Sequence, residues 1–147
     1  MSESKYDALK LERQVCFPLY ACSKEIIRRY KPFLDELDLT YTQYITMQVM
    51  WEKRAQCVKD LGQILYLDSG TLTPVLKKLE AKGYITRTRS TEDERSLIIE
   101  ITEAGDELRD RAISIPEKMT EAVKLDNEDT KQLFSLLNKL LGILEQE

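Results

Sequence analysis

The sequence has no histidine, only three cysteines and no long apolar run. Without histidine, a histidine-based catalytic triad is excluded. Cys16, Cys22 and Cys57 are an odd number without metal-ligand spacing, which disfavours a zinc site. No uncharged apolar run approaches the roughly 18 residues of a membrane span, and residues 1–5 lack a signal-peptide core. We therefore expect a cytoplasmic, non-enzymatic protein with no metal, no cofactor and no membrane segment.

The overall charge hides a local excess of cations. The chain of 147 residues is 42% hydrophobic and 33% charged, which is typical of one helix-rich domain, and its net charge is −4. Residues 69–91 nevertheless hold five cations against Glu80 alone, a local charge of +4. The five are Lys77, Lys78, Lys82, Arg87 and Arg89. Such a patch is sufficient to meet the phosphates of a nucleic acid.

Residues 68–83 predict an amphipathic helix that ends at Gly83. Its apolar side chains recur at helical spacing: Leu72, Val75, Leu76 and Leu79. Its other face carries short polar groups and cations: Ser69, Thr71, Thr73, Lys77 and Lys78. Ser69 and Thr71 suit the base edges of a DNA groove, and the two lysines suit its phosphates. Pro74 removes one backbone donor, so we expect an irregular first part of this helix.

A hairpin follows this helix, and a second short helix precedes it. Residues 84–89 and 96–101 are β-branched runs joined by the polar loop 90–95. Residues 58–65 predict the preceding helix. Helix, turn, recognition helix and hairpin are the order of a winged helix-turn-helix protein. In the wing we expect Arg87, Arg89 and Arg95 to contact DNA, Arg95 in the minor groove and oriented by Asp93.

The flanking segments predict helices that pair two copies of the chain. Residues 7–37 carry a broad apolar stripe, and residues 40–43 have the spacing of a capping box. Eight of the twelve residues from 133 to 144 are apolar, more than one amphipathic face needs. The dimer contacts predicted there are Leu133, Leu137, Leu140 and Leu144. We therefore predict a single, mainly α domain with a small β-hairpin wing, a DNA-binding head at about 40–101, and dimerisation helices at about 7–37 and 102–147.

Specific residues give the chain a family resemblance. Residues 67–74, residues 77–80 and Asp93-Glu94-Arg95 resemble the multiple antibiotic resistance regulator (MarR) family. Residues 14–17 with three tyrosines, Tyr20, Tyr30 and Tyr41, are similar to its organic hydroperoxide resistance regulators. This resemblance implies a homodimeric repressor that releases a pseudo-palindromic DNA operator when a cysteine is oxidised. The matching cysteine is Cys16, and the resemblance implies that hydroxyls of Tyr30 and Tyr41 bond its sulfur.

Pro18 leaves two arrangements open around Cys16. Either the first helix bends at Pro18, or a new helix begins near Phe17 and places Cys16 at its start, where the helix dipole favours a thiolate. Tyr30 follows Cys16 by fourteen residues, about 21 Å along a continuous helix, so their contact needs a helix break or an antiparallel dimer. Tyr20 lies one turn from Cys16 in its own chain.

The other two cysteines are predicted to be structural. Cys16 and Cys22 would lie about 9 Å apart along a helix and on nearly opposite faces, too far for an unstrained disulfide. Relatives with two reactive cysteines carry the second in the C-terminal half, and this chain has none after Cys57. The resemblance therefore implies the one-cysteine type, in which the sulfenic acid is captured by a low-molecular-weight thiol or over-oxidised.

A purely structural role is the alternative for each of these residues. Cys16 could be a small buried apolar residue, and the tyrosines could be ordinary core or interface packing. The same fold could respond to a small lipophilic or phenolic ligand instead of an oxidant. A thiol peroxidase is a third class, which the lack of histidine and of a catalytic framework disfavours. Replacing Cys16 with serine separates an oxidant-sensing regulator, which would lose its response, from a ligand-responsive one, which would keep it.

Overall fold

The computed structural model describes residues 4–93 and 96–146. Two short 3-10 helices, Asp7–Leu9 and Leu11–Arg13, precede the first α-helix. The α-helices described are α1 (Cys16–Asp35), α2 (Tyr41–Lys53), α3 (Val58–Leu65), α4 (Ser69–Ala81), α5 (Glu103–Ala112), α6 (Ile115–Val123) and α7 (Asn127–Leu144). The strands are β1 (Ala55–Cys57), β2 (Ile85–Arg89) and β3 (Leu97–Ile101). The chain forms two compact units, one up to Ile115 and one from Pro116 onward.

The strands form one antiparallel sheet in the order β1, β3, β2. The predicted hairpin is present, with Arg87 opposite Ile99 across β2 and β3. A third strand, β1, which the sequence did not indicate, pairs with the other side of β3, where Cys57 lies opposite Ile98. Three residues carry no recognisable strand pattern, and their partner lies far along the chain. The wing therefore has a third strand at its base.

Side chains cap the helices where the sequence indicated helix starts. Thr40 Oγ1 accepts a hydrogen bond from the Gln43 backbone N–H at 3.3 Å, and Gln43 Oε1 accepts one from the Thr40 N–H at 3.1 Å. This reciprocal pair is the predicted capping box, which fixes the start of α2. Asp68 Oδ1 accepts from the Thr71 N–H at 2.7 Å and caps α4. The same hydrogen bond from Thr71 lowers the pKa of the Asp68 carboxyl.

The core lies in the unit that ends at Ile115. Helix α2 packs against α3, α4 and α5, and the inner faces of the sheet add Ile85 and Ile99. Helix α4 buries all four of its predicted apolar residues, so its opposite face is left for solvent or a partner. The buried side chains with almost no exposed surface include Met47, Met50, Leu61, Leu72, Leu76 and Leu79.

The base of the wing is tied to α2 and α5 through one crowded glycine. A Cβ atom at Gly105 would lie 2.2 Å from the Tyr84 carbonyl oxygen, so no side chain fits there. Thr102, which caps α5, donates through its hydroxyl to the Gly83 carbonyl at 2.6 Å. The Trp51 indole N–H donates to the Gly105 carbonyl at 2.8 Å. Trp51 therefore joins α2 to the start of α5, beside the residues that lead into β2.

Helix α1 begins at Cys16, so the second of the two predicted arrangements around Pro18 is the one observed. Pro18 lies in the first turn, where its missing N–H leaves no helix carbonyl without a donor. Of the twenty residues in α1 only Leu34 is buried, and no residue of α7 is buried. Both helices therefore leave apolar side chains in solvent within one chain.

Candidate DNA interface and thiol site

A tight turn sets α3 against α4. Tyr66 ends α3 in the left-handed conformation, with φ 56°, and the Leu67 N–H returns to the Gly62 carbonyl at 3.0 Å. A Cβ at Gly62 would lie 2.9 Å from the Leu67 carbonyl oxygen, so this close approach requires glycine or a local shift. The turn directs the start of α4 away from the core.

The outward face of α4 carries the predicted DNA contacts. Ser69, Thr71, Lys77 and Lys78 are exposed, and Thr73 is half-buried. Ser69, Thr73 and Lys77 follow one another at four-residue intervals, so they lie along one line of the helix. Hydroxyls lie at its start and cations nearer its end, which fits base edges and phosphates respectively.

Among the five predicted cations, Arg87 and Lys82 form ion pairs or hydrogen bonds within the described part of the protein. The Arg87 guanidinium donates from Nη2 to Glu80 Oε1 at 3.0 Å, and this bond holds the pKa of the Glu80 carboxyl below its usual range. Lys82 Nζ lies 3.4 Å from Asp38 Oδ2 and donates to Gln43 Oε1 at 3.3 Å. The effective cationic face is therefore smaller than the local charge of +4 suggests.

The tip of the wing is closed by backbone and hydroxyl hydrogen bonds. The Ser90 N–H donates to the Ser96 carbonyl at 2.8 Å, and Ser90 Oγ accepts from the Glu92 N–H at 3.2 Å. Arg89 and Asp93 are exposed beside this loop. Arg95, the predicted minor-groove residue, lies outside the described residues, so its pairing with Asp93 stays a prediction.

Cys16 is exposed at the first residue of α1. Its neighbours Val15 and Phe17 are also exposed, and Phe17 lines an open groove of about 530 Å³ with Lys10, Leu11 and Glu12. Tyr20, one turn further along α1, is exposed with the Lys24 ammonium 5.2 Å from its ring centre. An exposed thiol at a helix start is accessible to a dissolved oxidant.

Tyr30 and Tyr41, two of the three predicted tyrosines, are in ring contact, and Tyr44 joins them. The ring centres of Tyr30 and Tyr41 are 5.1 Å apart, and that of Tyr44 lies 5.7 Å from Tyr30 and 6.5 Å from Tyr41. Burial raises the pKa of all three phenols; for Tyr44, burial together with its two tyrosine neighbours raises it to about 12. The hydroxyls therefore stay protonated and able to donate. Sequence reasoning missed Tyr44, although its spacing of three from Tyr41 on one helix face was a usable signal.

The cysteine and the tyrosine cluster lie at opposite ends of α1 in one chain. Helix α1 runs without interruption from Cys16 to Asp35, so about 21 Å of helix separates Cys16 from Tyr30. The predicted contact between sulfur and phenol therefore requires a second chain. Cys22 is exposed, and Cys57 caps α3, its sulfur accepting from the Asp60 N–H at 3.4 Å.

The predicted dimer contacts of α7 lie on an accessible apolar surface. Leu133, Leu140 and Leu144 are exposed, and Leu137 is half-buried. Within the described ranges no helix is long and apolar enough to cross a membrane, and no group of three potential ligand side chains is arranged to hold a metal ion.

A short helix, a tight turn, a second helix with a polar outer face and a hairpin together define a winged helix-turn-helix protein. The profile of the transcriptional regulator SarA/Rot family matches residues 28–112. The chain is 50% identical over 145 residues to the organic hydroperoxide resistance transcriptional regulator of Bacillus subtilis (strain 168), covering 99% of each. The chain therefore belongs to the family of winged-helix transcriptional regulators that includes these proteins. The predicted resemblance to organic hydroperoxide resistance regulators is confirmed.

Two further relatives agree with this assignment. The regulator SarZ of Staphylococcus aureus (strain NCTC 8325 / PS 47) is 40% identical over 132 residues, which cover 90% of this chain and 89% of SarZ. The structure of reduced AbfR bound to DNA matches with a TM-score of 0.76 and 33% identity, over 96% of this chain and 99% of that one. Overoxidized AbfR bound to DNA matches with the same values. The predicted mainly α winged fold is therefore confirmed.

Proposed function

We propose that the protein is a DNA-binding repressor that senses organic hydroperoxides through Cys16 and then releases its operator. The observation that carries the proposal is the exposed Cys16 thiol at the start of α1, in a chain similar over its full length to an organic hydroperoxide resistance regulator. The peroxide acts as a signal and no catalytic turnover is required. The protein would act in the cytoplasm, where its DNA target lies.

Helix α4 and the wing supply the DNA contacts in this proposal. Ser69 and Thr71 read base edges in the major groove, with Thr73 beside them, while Lys77 and Lys78 bind the phosphate backbone. At the wing, Arg89 approaches phosphates and Arg95 enters the minor groove, with Asp93 orienting it. The acidic balance of the whole chain, −4, limits binding to unrelated DNA.

Oxidation of Cys16 supplies the signal. The thiolate sulfur attacks one oxygen of the hydroperoxide; a sulfur–oxygen bond forms, the O–O bond breaks, and the leaving alkoxide takes a proton to become an alcohol. Sulfur is oxidised by two electrons and the peroxide is reduced by two. The sulfenic acid then condenses with a low-molecular-weight thiol, releasing water and leaving a mixed disulfide, or is oxidised further by a second peroxide.

A homodimer completes the sensor. Antiparallel pairing of two α1 helices brings Cys16 of one copy to the Tyr30 and Tyr41 end of the other. Because the pKa values of both phenols are raised, their hydroxyls are donors that stabilise a thiolate. Apolar side chains that one chain leaves accessible would be buried in this dimer, on α1 and separately on α7, where they are Leu133, Leu137, Leu140 and Leu144.

A packed route joins the tyrosine cluster to the wing. Tyr44 contacts Tyr30 and Tyr41 on one side and the Trp51 ring, 6.3 Å away between centres, on the other. Trp51 donates to the Gly105 carbonyl at the base of the wing. A bulky adduct on Cys16 would displace the tyrosines, and this route would move the two DNA-reading heads relative to each other.

The test is binding of the purified protein to its own upstream DNA, with and without one equivalent of cumene hydroperoxide. Wild-type protein is expected to bind and then release, and Cys16→Ser to bind and not release. Cys22→Ser and Cys57→Ser are matched thiol controls and should respond like wild type. If Cys16→Ser still releases DNA, or if mass spectrometry finds the first oxidation on Cys22 or Cys57, the sensor assignment is wrong.

A further inference from the structure

An ion pair joins the recognition helix to the wing. Arg87 lies in β2 on the same strand face as buried Ile85, because side chains two residues apart share a face. Its Nη2 atom is 3.0 Å from Oε1 of Glu80, next to the last residue of α4. The Arg87 side chain is only 22% exposed and that of Glu80 is 39% exposed. This is a partly desolvated pair.

The pair spans the short connection between these elements. Helix α4 leads to β2 through Lys82, Gly83 and Tyr84, and Gly83 has the left-handed φ of 83°. With this connection bridged by Glu80 and Arg87, β2 is also tied to α4 at its third residue. Without the ion pair, β2 would keep its pairing with β3 and the hydrogen bonds that the Gly83 and Tyr84 carbonyls accept from Thr102.

We infer that Arg87 is a positioning residue that fixes the wing against the recognition helix, and that its partner Glu80 is therefore a determinant of operator specificity. This inference rests on the proposed DNA binding. A phosphate ligand needs accessible donors, whereas Arg87 directs an Nη2 donor to Glu80 and has its Nε buried without a partner among residues 4–93 and 96–146, so fewer of its five donors are available to DNA. Moving Arg87 to a phosphate would also leave the Glu80 carboxylate unpaired beside DNA.

A positioning residue and a phosphate ligand should affect DNA affinity in different ways when they are replaced. Operator binding needs α4 and the wing tip in two grooves at once, so a loosened wing costs specific affinity. Binding to unrelated DNA depends on phosphate contacts, which a loosened wing largely keeps. A positioning residue therefore changes the ratio of specific to non-specific affinity without changing the salt dependence.

The experiment measures binding to the operator and to unrelated DNA of equal length at several salt concentrations. The proteins are wild type, Glu80→Gln, Arg87→Met and the double variant, with Lys77→Gln as the control for a phosphate contact. Each single variant is expected to lower the affinity ratio roughly tenfold, and the double variant no further. For the single and double variants, the slope of log affinity against log salt concentration should equal that of wild type. Lys77→Gln should reduce the magnitude of this slope by about 0.9 and weaken binding to both DNAs.

Partial unfolding does not imitate this result, because a smaller active fraction lowers both affinities and leaves their ratio unchanged. If Arg87→Met lowers the slope by about 0.9 while Glu80→Gln binds as well as wild type or better, Arg87 is a phosphate ligand and the inference is wrong. The inference is also wrong if Glu80→Gln and Arg87→Met keep the wild-type ratio of operator affinity to affinity for unrelated DNA. If wild-type protein binds neither DNA, the proposed function fails and the inference fails with it.

Discussion

Helices α1 and α2 are in contact, yet they differ in how many of their side chains are buried. Helix α2 has thirteen residues and buries five of them, including Met47 and Met50. Helix α1 has twenty residues and buries Leu34 alone, while Leu19, Ile26 and Ile27 stay exposed. The DNA-reading head closes its core within one chain, whereas the sensor helix has an apolar surface that one chain does not cover.

This difference separates two kinds of stability. The head should resist unfolding to an extent set by its own packing, whatever the protein concentration. If the proposed dimer forms, the order of α1 should depend on concentration, because the second copy would cover its apolar surface. In the proposed sensor, an adduct at Cys16 would act on a helix that a single chain leaves largely uncovered.

The largest effect is expected from the core of the head. Met47 has no exposed surface, so Met47→Ala should lower the free energy of unfolding by about 2–5 kcal/mol. The matched change in α1, Ile27→Ala, should cost less than about 1 kcal/mol in dilute protein because that side chain is 41% exposed. Urea unfolding measures both. Equal losses would show that the sensor helix is as well covered as the head.

A somewhat smaller effect is expected at the predicted dimer surface. Leu140→Glu places a carboxylate in an apolar contact and should raise the dimer dissociation constant at least roughly a hundredfold. Lys139→Glu, the neighbouring exposed residue, is the control for added negative charge and should leave association nearly unchanged. Sedimentation measures both. A wild-type chain that is monomeric at micromolar concentration would remove the dimer and the cross-chain sensor together.

The tyrosine cluster at the junction of α1 and α2 predicts an alkaline instability. The folded pKa of Tyr44 is about 12, above the ordinary value of 10, so between these values the folded chain holds a proton that the unfolded chain has lost. Stability is therefore complete below pH 10 and falls as pH rises, by about 1.4 kcal/mol per pH unit for one phenol. Tyr44→Phe should reduce this slope in urea unfolding. An unchanged slope would mean that Tyr44 ionises freely.

The smallest effect is expected at the capping box where α2 starts. Thr40→Ala removes the hydroxyl that accepts from the Gln43 N–H and should cost about 1 kcal/mol of stability. Gln48→Ala, on the exposed side of the same helix, should change stability by less than about 0.5 kcal/mol. Thermal unfolding of the pair would detect the difference. A neutral Thr40→Ala would show that packing alone fixes the start of α2.

Local chemistry explains what the sequence predicted well. The capping box at Thr40, the apolar face of α4 and the hairpin each depend on neighbours a few residues away, and the structure has all three. The start of α1 at Cys16 was one of two alternatives, because a proline is compatible with both a bend and a first turn. Of the site residues predicted in α4, Ser69, Thr71, Lys77 and Lys78 are exposed and Thr73 is half-buried, because the opposite face of that helix is apolar and packs into the core.

Contacts between distant segments explain what the sequence did not show. Strand β1 exists because β3 supplies its partner. Tyr44 meets Tyr41 along α2 itself, but it reaches Tyr30 only through the packing of α1 on α2. The ion pair of Glu80 and Arg87 forms only when β2 folds onto α4. The charge pattern of the sequence therefore predicted Arg87 only as one more cation facing DNA.

The single tryptophan of the chain gives the protein an optical label of its own. The Trp51 indole lies beside Tyr44, and its N–H is bonded to the Gly105 carbonyl where the wing begins. Indole emission depends on the polarity around the ring and on the hydrogen bond of its nitrogen. The fluorescence of unlabelled protein therefore reports whether α2 remains joined to the base of the wing, and stopped-flow mixing with a hydroperoxide can time that event.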